Sequence, residues 1–324
     1  MGKISETQKG ELFIYASVFL WSFFPIITVL TFRNIPSFLS LAYGTLLSSL
    51  FFAFMMSYRR KWHELKNIQL WKNGILIALY IGVLFYGLYF TGLTMTTPGN
   101  AVIIGLFEVF SAFIFFNVLR GEHIPKGHII GGALMVIGAG LILIKDFSEI
   151  NIGDLFIFLA VCTTPIGNMY QQRARKIASS ESVLFVRTII AVPALFLLAY
   201  VFGAHASFTE LKASFLLLAI NGIFLLGLSK IFWIEAIHRI SVTKGEALST
   251  ITPFLTLILA WIILKQTPTI WQLSSLPLLL IGSLLLTDQL KIFKNQRSSF
   301  VASVVISSSF FISLNAISHL FFKS

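Results

Sequence analysis

The 324-residue sequence has 56% hydrophobic and only 11% charged residues, whereas a soluble globular domain has about a quarter charged residues. With a mean hydropathy of +0.87, this composition excludes an ordinary soluble domain and indicates a membrane protein. The net charge of +11 comes from Lys and Arg in short gaps between apolar runs, as the positive-inside rule predicts, so we expect no nucleic-acid partner.

Apolar runs of the length needed to cross a bilayer as a helix, about 20 residues, recur ten times along the chain. They cover residues 11–32, 37–57, 73–93, 98–119, 127–145, 152–172, 182–202, 213–238, 242–264 and 270–290. The first run is too long for the apolar core of a cleavable signal and is predicted to be an uncleaved span. Because the runs do not alternate as barrel strands would, we predict an all-α polytopic membrane protein.

The distribution of Lys and Arg predicts that the N-terminus is cytoplasmic. In that orientation the inner segments hold seventeen Lys and Arg residues, and the opposite segments hold only Arg33, Lys145, Lys212 and Lys265. The end of the tenth span is then also inside. A further apolar, serine-rich run at 299–322 is predicted to be either an eleventh span or a helix lying in the membrane interface.

Three matches at nearly constant spacing predict that the chain is duplicated. They pair 10–13 (GELF) with 153–156 (GDLF), 118–120 with 263–265, and Gly138 with Gly282, at offsets of 143, 145 and 144. Five spans per repeat make the second half inverted, so we predict halves at 1–146 and 147–291, followed by a hydrophobic tail at 292–324. Inverted repeats with a substrate site at the midplane are typical of secondary transporters.

Several segments resemble the EamA family of the drug/metabolite transporter superfamily over about residues 10–290. They are LFIYASVFLWSFFP with Trp21, the Gly121-Glu122 pair after the fourth span, and LSKIFWIEAIHRISVTKGEALSTITPFLTLILAWIIL with Pro253. Two features depart from the family pattern: Gln266-Thr267 replaces an expected acidic residue, and 299–322 extends beyond the usual end. The resemblance implies a carrier of the bacterial inner membrane, many relatives exporting amino acids or related metabolites.

The resemblance also implies which helices surround the substrate. They are spans one, three, four, six, eight and nine, which places Trp21, Tyr86, Tyr89 and Trp233 on cavity helices. These aromatics line the cavity or simply pack within the membrane.

Four ionisable residues lie well inside predicted spans: Glu108, Arg187, Lys230 and Glu246. Each is a functional candidate because a charge in the bilayer is costly. Glu108 has small helical neighbours and is predicted to bind a substrate cation or a proton, or to be a protonated packing acid. Lys230 is predicted to bind a carboxylate or phosphate, to pair with an acid, or to snorkel. The resemblance favours Arg187 as a structural anchor that reaches headgroups or a neighbouring helix, with a substrate ligand as the alternative.

A polar stripe on one face of span nine contains Glu246, Ser249, Thr250 and Pro253. Pro253 is predicted to break the helix and leave the Ser249 carbonyl free, which indicates a water-filled path or only a kink. In span six, Asn168 can both donate and accept, as a zwitterion requires, or can join two helices.

No catalytic, cofactor or metal motif is evident in the sequence. The single cysteine, Cys162, excludes a disulfide framework and is predicted to be buried. We therefore predict a monomeric, non-enzymatic secondary transporter without a cofactor, with a small-molecule substrate and the proton as a candidate coupling ion. A lipid-linked-substrate enzyme, a channel and a nucleoside-like substrate remain as alternatives.

The predicted substrate is a zwitterion such as an amino acid. Glu108 would face its amine, Lys230 its carboxylate, and Asn168 its polar groups. The alternative is that Glu108 and Lys230 pair with each other and that the substrate is selected by shape.

Overall fold

A computed structural model describes residues 5–116, 126–145 and 149–287. The tail run 299–322, the Gly121-Glu122 pair and the repeat match at 118–120 lie outside these residues.

The described chain folds into helical segments that follow the predicted runs in order, which confirms an all-α membrane protein. Eight of them are long and apolar enough to cross a membrane, and α5 and α10 are shorter apolar helices. The bounds are α1 Glu6–Thr31, α2 Ser37–Tyr58, α3 Ile68–Leu93, α4 Pro98–Phe116, α5 Lys126–Leu143, α6 Ile152–Arg175, α7 Ser180–Val201, α8 Phe208–Arg239, α9 Val242–Leu248 continued by Ser249–Ile251, Thr252–Leu259 and Ala260–Leu264, and α10 Ile270–Leu286. A short 3-10 helix spans Trp62–Lys66, and Ile144–Lys145 (β1) pairs antiparallel with Glu149–Ile150 (β2).

Side-chain caps begin several of the helices at the predicted membrane edges. Ser5 and Gln8, Ser207 and Glu210, and Thr269 and Gln272 form capping boxes at α1, α8 and α10, and Asn67 and Asn151 cap α3 and α6. A capping side chain satisfies a backbone N–H that the helix itself leaves without a partner.

The helices around the interior are irregular. A π-helical segment lies at Ala78–Phe85 in α3, and another lies at Ile220–Leu228 in α8. A turn at Leu106 divides α4, and a 3-10 segment at Ser249–Ile251 interrupts α9 directly before Pro253. Such irregularities inside helices are frequent at functional sites because they free or redirect backbone polar groups.

The closest helix pairs join segments from the two predicted halves. The extensive pairs are α3 with α6, α5 with α10, α2 with α7, α1 with α8, and α4 with α6. The outward faces carry exposed Leu, Ile and Phe side chains, as a lipid-facing surface requires. Cys162 lies exposed on α6, so the prediction that it is buried is wrong. Its apolar surroundings in the sequence are those of a lipid-facing position, which periodicity did not distinguish from a buried one.

Helices α5 and α10 approach through a pair of glycines. A Cβ atom on Gly131 would lie 2.8 Å from the Gly282 carbonyl oxygen, and one on Gly282 would lie 2.7 Å from the Gly131 carbonyl oxygen. Both clashes are with backbone, which cannot move away as a flexible side chain would.

We predict that Gly131→Ala lowers the thermal unfolding temperature in detergent, whereas Gly140→Ala on the same helix does not. A Cβ on Gly140 meets nothing within 4 Å, and alanine favours a helix over glycine. Overpacking at Gly131 should lower the free energy of unfolding by about 1–3 kcal/mol. Equal unfolding temperatures for the two variants would contradict the close contact between α5 and α10.

Candidate functional site

An interior cavity of about 120 Å³ lies between α1, α3, α4, α6, α7, α8 and α9. Eight of the predicted site residues line it: Trp21, Tyr86, Glu108, Asn168, Lys230, Glu246, Ser249 and Pro253. Thr250 follows Ser249 on α9 but is not one of the lining residues. The helices are those the family resemblance implies, with the addition of α7. The structure thus brings widely separated polar residues to one place between the two halves.

Asn168 on α6 connects the two acidic residues of the cavity. Its Nδ2 donates to Glu108 Oε1 at 3.5 Å and to Glu246 Oε1 at 3.4 Å. Its Oδ1 accepts hydrogen bonds from Gln171 Nε2 at 2.7 Å and from Trp233 Nε1 at 3.3 Å. Because two donors occupy the amide oxygen, the amide nitrogen must face the carboxyl groups. Asn168 therefore holds Glu108 and Glu246 side by side.

Lys230 on α8 contacts an aromatic ring instead of an acid. Its Nζ lies 3.1 Å from the centroid of the Trp21 ring, which stacks on Phe24 at 4.0 Å. Among the ion pairs within 4.0 Å in the described residues, none joins Lys230 to Glu108 or Glu246. A cation over the face of a tryptophan is stabilised by the ring quadrupole. The ammonium therefore stays in the cavity without a direct carboxylate partner.

Arg187 on α7 also lines the cavity. It is only 2% exposed, and its guanidinium carbon lies 6.0 Å from the ring centroid of Tyr86 on α3. Of the two anchoring contacts that the sequence left open, headgroups or a neighbouring helix, the structure has the contact with a neighbouring helix. A single sequence does not say toward which side an arginine one and a half turns into a span will extend.

The polar stripe of α9 mainly satisfies backbone groups. The Ser249 hydroxyl donates to the Gly245 carbonyl at 2.9 Å, and the Thr252 hydroxyl donates to the Ser249 carbonyl at 2.7 Å. The predicted free acceptor at Ser249 is therefore wrong, because Thr252 compensates for the donor that Pro253 lacks. Thr256 donates to the Ser22 carbonyl at 2.9 Å, where α1 is interrupted.

Sequence reasoning missed three features of the cavity. Gln171 orients Asn168; the spacing in span six predicts that both lie on one face, but the expected solvation of that end of the helix gave no reason to assign Gln171 this role. The Ser17 hydroxyl donates to the Ser229 carbonyl at 3.0 Å and joins α1 to α8. Gly105 lines the cavity, and a Cβ there would meet nothing within 4 Å.

A cluster of charged residues joins four helices at the end of the bundle where the sequence predicts the cytoplasm. Glu235 Oε1 accepts from Arg175 Nη2 at 2.9 Å and from the Ser180 hydroxyl at 2.5 Å. Glu235 Oε2 accepts from Arg239 Nη1 at 2.5 Å, and Arg239 Nε donates to Glu6 at 3.1 Å. We call these residues the Glu235 cluster. It connects α1, α6, α7 and α8 on one side of the cavity.

The 3-10 helix at Trp62–Lys66 is attached beside this cluster. Glu64 accepts hydrogen bonds from the Ser179 backbone nitrogen at 2.7 Å and from the Ser179 hydroxyl at 2.8 Å. Partial burial would raise the pKa of Glu64, but the hydrogen bonds from Ser179, Ser182 and Lys61 outweigh it and lower the pKa. The carboxylate is therefore ionised at neutral pH and stabilises the N-terminus of α7.

A second polar cluster lies at the opposite end. Asp154 accepts hydrogen bonds from the Thr96 hydroxyl and from Asn100 Nδ2, the latter at 2.9 Å. Gln272 Nε2 donates to Asn100 Oδ1 at 2.7 Å. These contacts join α4, α6 and α10. The cavity thus lies between two polar clusters that connect the predicted halves.

Known proteins are similar to this chain in both fold and sequence. A solved crystal structure superposes with a TM-score of 0.64 at 18% identity, over 88% of this chain and 99% of that chain, and shares the fold. The sequence is 24% identical over 242 residues to the uncharacterized transporter YyaM of Bacillus subtilis, covering 71% of this chain and 78% of that protein. It is 21% identical over 225 residues to the uncharacterized transporter sll1164 of Synechocystis, covering 66% of this chain and 64% of that protein.

The EamA-like transporter family matches the chain twice, over residues 8–144 and 151–288. These two ranges cover nearly all the described residues, and the related sequences are those of membrane transporters. The chain belongs to the EamA-like transporter family.

Proposed function

We propose that the protein is a secondary transporter that exports a small zwitterionic metabolite, such as an amino acid, across the bacterial inner membrane by alternating access. One observation carries this proposal: two acidic and two basic side chains line a single cavity, Glu108, Glu246, Lys230 and Arg187. A ligand with a positive and a negative group complements such a cavity, whereas an apolar or singly charged ligand leaves buried charges without a partner.

The acidic residues supply the site for the substrate amine. Glu108 and Glu246 meet at Asn168, so a substrate ammonium can contact both carboxyl groups. Lys230 supplies a positive group for the substrate carboxylate and has no direct acidic partner among the described ion pairs. The aromatic lining from Trp21 and Tyr86 accommodates an apolar side chain.

The size of the cavity favours a small metabolite over the alternatives. Pockets for drug-sized ligands have volumes of about 300–1,000 Å³, whereas this cavity has about 120 Å³. A nucleoside or a lipid-linked substrate would need a much larger opening of the helices. An amino acid needs less rearrangement.

Alternating access requires two near-equivalent halves, and several features support ten spans in two inverted repeats. The π-helical segments at Ala78–Phe85 and Ile220–Leu228 occupy corresponding helices of the two halves. The interruptions at Leu106 and Ser249–Ile251 also correspond. The pair α1 with α8 corresponds to the pair α6 with α3 under exchange of the halves. Discontinuous helices around a central site are typical of transporters of this kind.

The distribution of positive charge supports a cytoplasmic N-terminus, and the carboxyl groups make the proton the candidate coupling ion. A proton and a substrate ammonium would compete for Glu108 and Glu246. An inward proton gradient would then drive export of the substrate.

We predict that Glu108→Gln folds but loses amino-acid transport in proteoliposomes. Glutamine keeps the size of the side chain and removes the charge that binds the amine. Losing a charged hydrogen bond costs about 1.5–3 kcal/mol, which corresponds to roughly a 10- to 150-fold loss of affinity. Glu210→Gln, in the exposed capping box of α8, is the matched control and should transport normally.

The transport measurement should use a panel of amino acids and nucleosides with an imposed pH gradient. A Glu108→Gln protein that retains exchange but loses proton-driven accumulation would assign Glu108 to the proton and not to the amine. Transport of uncharged or purely cationic compounds, without transport of any zwitterion, would refute the proposed substrate class.

Gly105 is predicted to set the largest substrate side chain. It lies one helical turn before Glu108 and borders open space in the cavity, so Gly105→Val should abolish transport of large amino acids while small ones are still carried. Overpacking by the added methyl groups should reduce the binding free energy of a large substrate by about 1–3 kcal/mol. Competition between alanine and leucine in proteoliposomes measures this, with Gly140→Ala as the control outside the cavity. An equal loss for both amino acids would contradict a role in size selection.

A further inference from the structure

We infer that Arg187 and Tyr86 form the subsite for the substrate carboxylate. This inference rests on the proposed function and names the residues that bind one end of the substrate. Lys230 remains a positive group at this end of the substrate, as in the proposed function, and the inference adds Arg187 and Tyr86 as the groups that contact the carboxylate. The chemical class of ligand is a carboxylate, which the planar fork of an arginine can bind through two parallel hydrogen bonds.

The guanidinium of Arg187 is buried without an anionic partner. Its side chain is 2% exposed, and no ion pair within 4.0 Å or hydrogen bond to Arg187 is found among the described residues. Its five N–H donors therefore have only the cavity and the Tyr86 ring to interact with. A buried charge without a partner is costly, and an anion in the cavity would remove that cost.

The Tyr86 hydroxyl is a second group that lacks a partner. Tyr86 is 3% exposed, lines the same cavity, and its hydroxyl oxygen has no hydrogen-bond partner within the described part of the chain. Buried polar groups are nearly always hydrogen-bonded. An unsatisfied hydroxyl that lines the same cavity as an unpaired guanidinium is a donor available to the same anion.

Lys230 strengthens the positive potential of this region. Its ammonium lies over Trp21, and the Trp21 and Tyr86 rings meet edge to face at 6.5 Å, so the two cations flank one aromatic pair. Like charges near each other in a low-dielectric interior repel, and an anion between them relieves the repulsion. Glu108 and Glu246 do not serve as this anion, because Asn168 holds them together and neither forms an ion pair within 4.0 Å with Lys230 or Arg187 among the described residues.

A purely structural arginine is the alternative. The stem of Arg187 packs near Gly82 on α3, where an added Cβ would lie 3.9 Å from Arg187 Cγ. Such an arginine would stabilise the helix pair α3 and α7 and affect every ligand equally. A carboxylate-binding arginine affects only ligands that have a carboxylate.

The test compares leucine with two analogues that each lack one charged group. Isopentylamine has the leucine side chain and amine without the carboxylate, and 4-methylpentanoate has the carboxylate without the amine. Affinities are measured by calorimetry on the purified full-length protein in detergent, for the wild type, Arg187→Gln, Arg187→Lys and Tyr86→Phe. Arg173→Gln is the matched control, because Arg173 also lies over a tyrosine, Tyr170 at 5.3 Å, but away from the cavity.

We expect Arg187→Gln to weaken the binding affinity for leucine about 10- to 150-fold. The affinity for isopentylamine should stay within about 3-fold of the wild-type value, which allows for the usual non-additivity. Arg187→Lys should recover part of the loss, because lysine keeps the charge but not the fork. Tyr86→Phe should weaken the binding affinity for leucine by about 2- to 10-fold. The control, Arg173→Gln, should change neither the leucine nor the isopentylamine affinity.

Two results would overturn the subsite: an unchanged leucine affinity in Arg187→Gln, or equal losses of leucine and isopentylamine. If the wild type binds no zwitterion, the proposed function fails, and 4-methylpentanoate then decides the subsite alone. Its binding to the wild type and loss in Arg187→Gln would support the subsite. No binding of either carboxylate to the wild type would overturn it.

Discussion

The need to keep ionisable side chains away from lipid is the constraint on which this structure depends. Each of the four that lie deep in the helices is turned inward, and together they define the cavity. The solutions differ from one residue to another. Glu108 and Glu246 share the amide of Asn168, Lys230 lies over the Trp21 ring, and the charge of Arg187 is left facing open space. The proposed binding site therefore coincides with the place where burial of charge is tolerated.

The sequence predicted the helices well because their signal is local. A run of apolar residues of bilayer length has few other folded states, so the type and order of the segments follow from hydropathy. The inward direction of Glu108, Lys230, Glu246 and Asn168 was also predictable, since a charge or amide facing lipid is costly. The outward position of Cys162 was not, because a thiol is tolerated in either environment.

Partners across the cavity could not be predicted from one sequence. The Ser249 carbonyl accepts from Thr252 because the α9 backbone tightens into a 3-10 turn, and this conformation is not encoded by Pro253 alone. The choice of Lys230 between Glu108 and Trp21 depends on where α1 and α8 meet, which involves residues some two hundred positions apart. Hydropathy and helical periodicity contain no information on such distances. The contact of Arg187 with Tyr86 likewise joins residues that lie about one hundred positions apart.

The Glu235 cluster has a consequence for the kinetics of the transport cycle. Under the proposed alternating access, an opening that separates α6 from α8 at that end would break the charge-assisted bond of Glu235 with Arg175, whereas the bond of Glu235 with Arg239 lies within α8 and would persist. Under the same proposal, the bond with Arg175 lies away from the cavity and would add to the activation barrier for that opening. Because the side chains are partly solvent-accessible, dissolved ions can screen them. Under the proposed alternating access, the rate of that opening would therefore depend on the ionic strength on one side of the membrane.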